Sequence, residues 1–187
     1  MNDIVVRAVR TADEAAILEL ARQEMHAHEA LDPRFRLRKD AVDRYALYVR
    51  GRVRDIDSNV FVAELDGVVV GMGIGSVRKQ ESFFEVQRYG YISDLVVSAE
   101  HRRRGVGRAL FDRITLWCRG LGVGVLRLHV ASKSEAARAF WKSVGARDYL
   151  VEVWIDLEPV SFAEPARAVA PEEKDTEEEP AAADRRY

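Results

Sequence analysis

Residues 91–108 leave a chain few choices. Tyr91-Ile92-Ser93-Asp94-Leu95-Val96-Val97 is rich in β-formers and predicts a strand. Ser98-Ala99-Glu100-His101 and Arg102-Arg103-Arg104-Gly105-Val106-Gly107-Arg108 follow, after which Leu110, Ile114, Trp117 and Leu121 form the stripe of a helix. A strand therefore opens through a turn directly into a helix. Gly105 and Gly107 let the backbone approach a ligand without Cβ interference, and the unbonded N–H groups of the first helical turn favour an anion. Arg102, Arg103, Arg104 and Arg108 add charge and bidentate phosphate donors. Together these describe a pyrophosphate cradle. It is not a Walker loop, which needs a lysine and a Ser/Thr after its second glycine, nor a dinucleotide fingerprint, which needs a third glycine. An arginine-rich surface turn is the plainer alternative. A nucleic-acid patch fits less well, because no aromatic-interleaved basic stripe accompanies the turn.

The flanking sequence alternates between strand and helix patterns. Ile4–Val9 predicts a strand, and Thr11, with Glu14 at the capping-box spacing, predicts the start of a helix that ends at Asp32-Pro33. Val42, Tyr45, Val49 and Val53 mark a second helix. Val60–Leu65 and Val68–Ser76 are strands joined by the hairpin dipeptide Asp66-Gly67. Tyr89–Val97 is the next strand, and after the helix come a strand at Val125–Val130, a helix at Ser134–Val144 and a final strand at Asp148–Leu157. This order indicates a mixed α/β sheet with helices on its faces. Gly71, Gly73 and Gly75 alternate with larger residues, leaving one strand face bare for close approach of a helix or, alternatively, a substrate.

Composition sets the boundaries. From Ser161 onward the chain carries eight acids against four bases among Pro, Ala and Glu, and apolar periodicity has stopped. That stretch is expected to be a disordered acidic tail, residues 161–187, following a single folded domain over residues 1–160. The single cysteine, Cys118, excludes an internal disulfide frame and reads as a small packing residue rather than a nucleophile. No apolar stretch approaches the ~20 residues of a membrane span and no leader pattern is seen, so a cytoplasmic protein without membrane or nucleic-acid partners is expected.

The central segment resembles the GNAT N-acetyltransferase superfamily, whose signature of Gln/Arg-x-x-Gly-x-Gly/Ala after a strand is matched by Arg102, Gly105 and Gly107. A second block is similar to the family's Asn-x-x-Ala-x-x-x-Tyr-x-x-x-Gly pattern, with Ser134, Ala137, Trp141 and Gly145 in those places. The resemblance implies a mixed, mostly antiparallel sheet with a splayed parallel strand pair, helices on both faces, and acetyl-CoA as co-substrate without a metal. It also implies cofactor contacts. Pantetheine would pair with the backbone at Leu95, Val96 and Val97, with Val130 across the splay. Pyrophosphate would lie on Arg104, Gly105, Val106, Gly107 and Arg108 beside Arg102 and Arg103, and Ser134, Ala137, Phe140 and Trp141 would flank the thioester. The family's tyrosine protonates the leaving thiolate; Trp141 has no acid of that kind, so another group does it or the thiolate leaves unaided.

Attack by an amine needs a base. Asp94 is the first candidate: simple alternation puts it on one face with Ile92 and Val96, and the resemblance to the aminoglycoside 3-N-acetyltransferase branch puts an aspartate there. Desolvation on such a face favours proton uptake. His129 is the second candidate, against a plain packing role. Glu24, His28 and Asp32 border the acceptor by resemblance; His26 and His28 do not face each other as a metal pair would. The expected activity is acetyl transfer from acetyl-CoA to the primary amine of a small molecule. A non-catalytic acyl-CoA sensor and a protein N-terminal or lysine acetyltransferase are the alternatives, and relatives of this kind are often homodimers.

Overall fold

The computed structural model describes residues 3–157. The chain divides after Arg147 into two units. In the first, strand β1 (Val5–Ala8) leads through a 3-10 turn to helix α1 (Glu14–Leu31), followed by α2 (Ala41–Arg54). Then come β2 (Ser58–Leu65), β3 (Val68–Lys79), β4 (Arg88–Val97), α3 (Val106–Gly120), β5 (Leu126–Leu128) and α4 (Glu135–Ser143). The sheet has the order β1-β2-β3-β4-β5; its first three pairings are antiparallel and only β4–β5 is parallel. This is the mixed, mostly antiparallel sheet that the sequence predicts.

Two apolar layers hold it. On one face Ile17, Leu20 and Ala21 of α1 and Val49 of α2 pack on Val60, Val62, Met72, Ile74 and Val96. On the other, Val106, Leu110, Ile114 and Cys118 of α3 pack on Phe61, Ala63, Val77 and Ile92. The α3 stripe recurs every four residues, which is why this helix lies flat on the sheet. It lies close because β3 is bare beneath it. A Cβ at Gly73 would come within 2.9 Å of Ile114, and one at Gly71 within 3.0 Å of the Val96 carbonyl and 3.1 Å of Val106. Helix packing, not a substrate slot, explains the alternating glycines. Cys118 is buried in the same layer, and burial pushes its thiol up to about 11, a poor state for a nucleophile. The β2–β3 turn takes positive φ at Asp66 (52°) and Gly67 (78°), the hairpin geometry that the dipeptide predicts.

One expectation is corrected here. Thr11 does not cap α1: residues 11–13 form a 3-10 turn, and it is the Asp13 carboxylate that accepts the Arg10 N–H at 2.6 Å. Asp13 takes that role because it is also held by Arg7, whose Nη1 and Nη2 lie 2.7 and 2.9 Å from its two oxygens while Nε reaches Glu64 at 3.0 Å. Ser134 stands at the N-cap of α4, but its hydroxyl makes no capping bond. The expected strand at Asp148–Leu157 falls in the second unit, whose described residues form no strand among themselves. The acidic tail lies outside the described residues.

The Arg7–Asp13 pair has a measurable consequence. The Arg7 hydrogen bonds hold the Asp13 carboxyl below the usual carboxylate range, despite burial, which works the other way. A carboxyl with a depressed folded-state pKa stabilises above its unfolded pKa of about 4 and loses that contribution as pH falls through the folded value. Urea unfolding should therefore show wild type more stable than Asp13→Asn at neutral pH, with the gap narrowing below about pH 4. A gap independent of pH would mean that the pair is not a source of acid sensitivity.

Candidate active site

Strand β4 is the centre of the site, and its irregularity decides what it presents. Ile74 of β3 pairs with Asp94, yet the next residue, Gly75, pairs with Ile92, so Ser93 is an extra residue in the ladder. This β-bulge breaks the alternation. Ile92 packs in the α3 layer, whereas Asp94 shares the α1/α2 face with Val96. The expected single face of Ile92, Asp94 and Val96 is thus corrected: the bulge turns Asp94 away from Ile92 and toward the helices. There, Tyr45 of α2 donates its hydroxyl to Asp94 Oδ1 at 2.9 Å, and Tyr48, one turn on, donates to Ser93 Oγ at 2.8 Å with Asp94 Oδ2 3.4 Å away. Burial, then the neighbouring Asp94 charge, raises the Tyr45 phenol far above its ordinary range, so it stays a donor. Burial likewise raises Tyr48.

Beside Asp94 the sheet divides. β4 and β5 pair only through Gly90–Leu126, Tyr91–Arg127 and Ile92–Leu128, and part beyond that point. A cavity of about 110 Å³ occupies the gap. Asp94, Leu95 and Val96 line it from β4; Leu128, His129 and Val130 from the other strand; Ser134, Ala137 and Trp141 from α4; and Glu24 and His28 from α1. The structure therefore brings together both candidate bases, part of the expected pantetheine track and two of the three expected acceptor residues. Asp32 is not among them. Its carboxylate is taken by Lys133 at 2.7 Å and by the Arg34 N–H at 3.0 Å, which ties the end of α1 to the loop before α4. His129 accepts or donates at Nδ1 to the Tyr91 hydroxyl at 3.0 Å, and the Arg78 guanidinium lies 3.4 Å from the centre of the Tyr91 ring. Trp141 packs edge-on against Phe111 and Phe140, with ring centroids 6.1 and 5.0 Å away.

From Val97 the chain turns into the cradle. Arg102 Nε donates to the Val97 carbonyl at 3.1 Å and its guanidinium lies 3.9 Å from Glu24, so this arginine shapes the turn. Arg103 takes φ 63° and Gly105 φ 88°, a left-handed conformation in which glycine has no steric cost. Val106 follows as the first residue of α3, with Gly107 and Arg108 next, and N–H groups at such a helix start have no intrahelical acceptor. Arg108 is paired with Asp112 at 2.9 Å, one turn along the helix, leaving the exposed Arg103 and Arg104 as the cations at the mouth of the turn. Gly107 faces Phe140 and Leu95: a Cβ there would lie 3.4 and 3.6 Å from them. The cradle thus meets the end of β4 and one face of α4, the surroundings that a phosphate-bearing thioester would need.

A split parallel pair beside a glycine–arginine helix start is matched by a family profile described as the acetyltransferase (GNAT) family, over residues 16–146. The chain belongs to the GNAT acetyltransferase family. It is 28% identical over 139 residues to an uncharacterized N-acetyltransferase of Archaeoglobus fulgidus, covering 74% of this chain and 92% of that one. Among solved structures it is similar to a tetramutant of the BH1408 protein of Bacillus halodurans, with TM-score 0.71, 21% identity and coverage of 82% and 99% of the two chains. It is also similar to an aminoglycoside antibiotic 6'-N-acetyltransferase of Acinetobacter haemolyticus, with TM-score 0.66, 16% identity and coverage of 83% and 99%. These structural likenesses show the GNAT fold. Among the described residues no helix is long and apolar enough to cross a membrane, and no group of three His, Cys, Asp or Glu converges as a metal site.

Two functional residues escaped the sequence reading. Tyr45 appears there only as part of an apolar helical stripe and Tyr48 not at all. Their spacing of three on α2 is a signal that two hydroxyls share a face, but nothing in the sequence says that the face looks at Asp94.

Proposed function

We propose that this GNAT member moves the acetyl group of acetyl-CoA to a primary amine on a small cationic molecule by direct attack. The observation that carries the reading is Asp94, turned by the bulge into the cavity at the strand split. The residues fit the co-substrate: backbone donors and two exposed arginines for the pyrophosphate, an open strand edge for the pantetheine amides, and an aromatic wall at Trp141 for the thioester. Tyr45 and Tyr48 fix the Asp94 carboxylate from behind, so that it meets the incoming nitrogen without rotating. The amine loses its proton to Asp94, directly or through one water, as nitrogen bonds to the carbonyl carbon and the carbon–sulfur bond breaks.

Glu24 and Asp94 give the acceptor side of the cavity an anionic character that suits an ammonium-bearing substrate. The run around Asp94 resembles the aminoglycoside 3-N-acetyltransferase branch, and one structural relative is a 6'-N-acetyltransferase, so aminocyclitols and polyamines head the acceptor classes. Trp141 favours a second reading, an acyl-CoA sensor without catalysis, because its indole sits in an aromatic cluster rather than as an acid. Thiol release from acetyl-CoA separates the two. Aminoglycosides, polyamines, amino acids and peptides with free N-termini should be compared, and turnover with a polycationic small molecule at least tenfold above any peptide is expected (roughly the margin that one or two charge contacts supply). Binding of acetyl-CoA with no release on any amine would establish the sensor, and faster release with peptides would move the acceptor to protein.

A further inference from the structure

The absence of a tyrosine at 141 leaves a question of protons, and the cavity answers it. Its ionisable lining groups are Glu24, His28, Asp94 and His129. Glu24 and His28 stand together on α1, 3.6 Å apart, with Arg102 also on Glu24, and they belong to the acceptor wall. Asp94 is committed to the amine. His129 alone of the four lies on the opposite wall, just past the last β4–β5 pair and next to the α4 residues Ala137 and Trp141. Leu126 and Leu128 pack against the α3 layer, so alternation puts His129 on the same sheet face as Asp94, across the split from it. Both walls line one cavity between the parted strands, so a thioester whose carbon is reached from the Asp94 wall turns its sulfur toward the other wall.

We propose that His129, oriented by Tyr91, is the acid that protonates the departing coenzyme A thiolate. The inference rests on the proposed acetyl transfer and adds the leaving-group half of it. Tyr91 holds Nδ1 at 3.0 Å, and the Arg78 guanidinium over the Tyr91 ring fixes that side chain in turn. The proton passes from Nε2 to sulfur as the carbon–sulfur bonding pair goes to sulfur, leaving a neutral imidazole. Asp94 has meanwhile gained the amine proton. The two groups return to their starting states by exchange with solvent, so no oxidant or further reactant is needed. Tyr91 is a positioning residue in this scheme. Among the described residues of the first unit, the imidazole bonds to Tyr91, which carries Arg78 over its ring, and shares the cavity lining with Asp94, Glu24 and His28; Arg127 precedes it by two positions and Lys133 stands in the loop before α4.

The test is kcat against pH for wild type, His129→Gln and Tyr91→Phe, with an amine found in the acceptor screen. An acid must be protonated to act, so wild type should lose kcat as pH rises. His129→Gln should lose about a hundredfold in kcat at neutral pH, the lower end of what one acid–base group supplies, and should lack that descending limb. Its acetyl-CoA Kd should stay within about twofold, since it removes no charge-assisted phosphate contact. Tyr91→Phe should keep the limb with a displaced midpoint. A descending limb unchanged in His129→Gln overturns the proposal, and so does loss of the ascending limb instead, which would make His129 a base. Thiol release from acetyl-CoA with the same proteins in the absence of amine provides a second readout, because hydrolysis expels the same thiolate. An amine panel with no turnover would remove the proposed function, while the hydrolysis profile still decides the role of His129.

Discussion

Asp94→Asn should lower kcat for acetyl transfer by about 10²–10⁴, the usual worth of one general base. The variant keeps the shape of the side chain and an oxygen for the Tyr45 hydroxyl, so the loss reports the missing base rather than a collapsed wall. Tyr48 can rotate its hydroxyl to accept from the new amide. Acetyl-CoA affinity should change little, because the contacts assigned to this strand for the co-substrate are backbone ones. The deficit should shrink as pH rises, since more of the acceptor arrives already deprotonated. The measurement is kcat and acetyl-CoA Kd across pH for both proteins. Near-wild-type kcat at neutral pH would make Asp94 a structural partner of the two tyrosines and nothing more.

Gly107→Glu should weaken acetyl-CoA binding by about 10²-fold or more, since it removes charge-assisted contacts and adds repulsion. A Cβ at this position has room, lying 3.4 Å from Phe140. The effect therefore comes from what lies beyond the Cβ: a carboxylate beside N–H groups that are unbonded because they begin a helix. Gly107→Ala should lose far less, and the ratio between the two variants separates charge from bulk. Titration of acetyl-CoA by calorimetry, with circular dichroism to confirm that α3 persists, provides the check. Unaltered affinity in a folded Gly107→Glu protein would move the pyrophosphate elsewhere.

The sequence foretells this architecture where local rules are decisive. The Asp66-Gly67 turn, the bare glycine face of β3 and the strand–turn–helix of residues 91–108 each follow from backbone sterics or periodicity, and each is found in place. Of the expected α3 stripe Leu110 and Ile114 are buried, whereas Leu121 follows the helix and is exposed, and Cys118 fills the stripe instead. The sequence fails where a residue's role depends on distant partners. The bulge at Ser93 arises in the pairing with β3, and no property of the β4 sequence marks it, so strict alternation assigned Asp94 the wrong neighbours. Tyr45 and Tyr48 look like ordinary members of a helix until α2 is laid across β4. Nothing in the sequence announces the bond that Asp32 makes with Lys133, a hundred and one positions away.

The glycines of β3 have a consequence beyond tight packing. Their backbone is the floor on which α3 rests, and the contact at Gly71 is with Val106, the residue that opens the helix immediately beside the phosphate turn. The elevation of that helix mouth above the sheet is thus set by the Val106 and Leu110 side chains resting directly on the β3 main chain, with no β3 side chain in between. A single methyl group at Gly71 would act as a shim, tilting the mouth away from the end of β4 while touching no ligand atom. Under the proposed binding mode, grip on the diphosphate and stiffness of the sheet are one mechanical property.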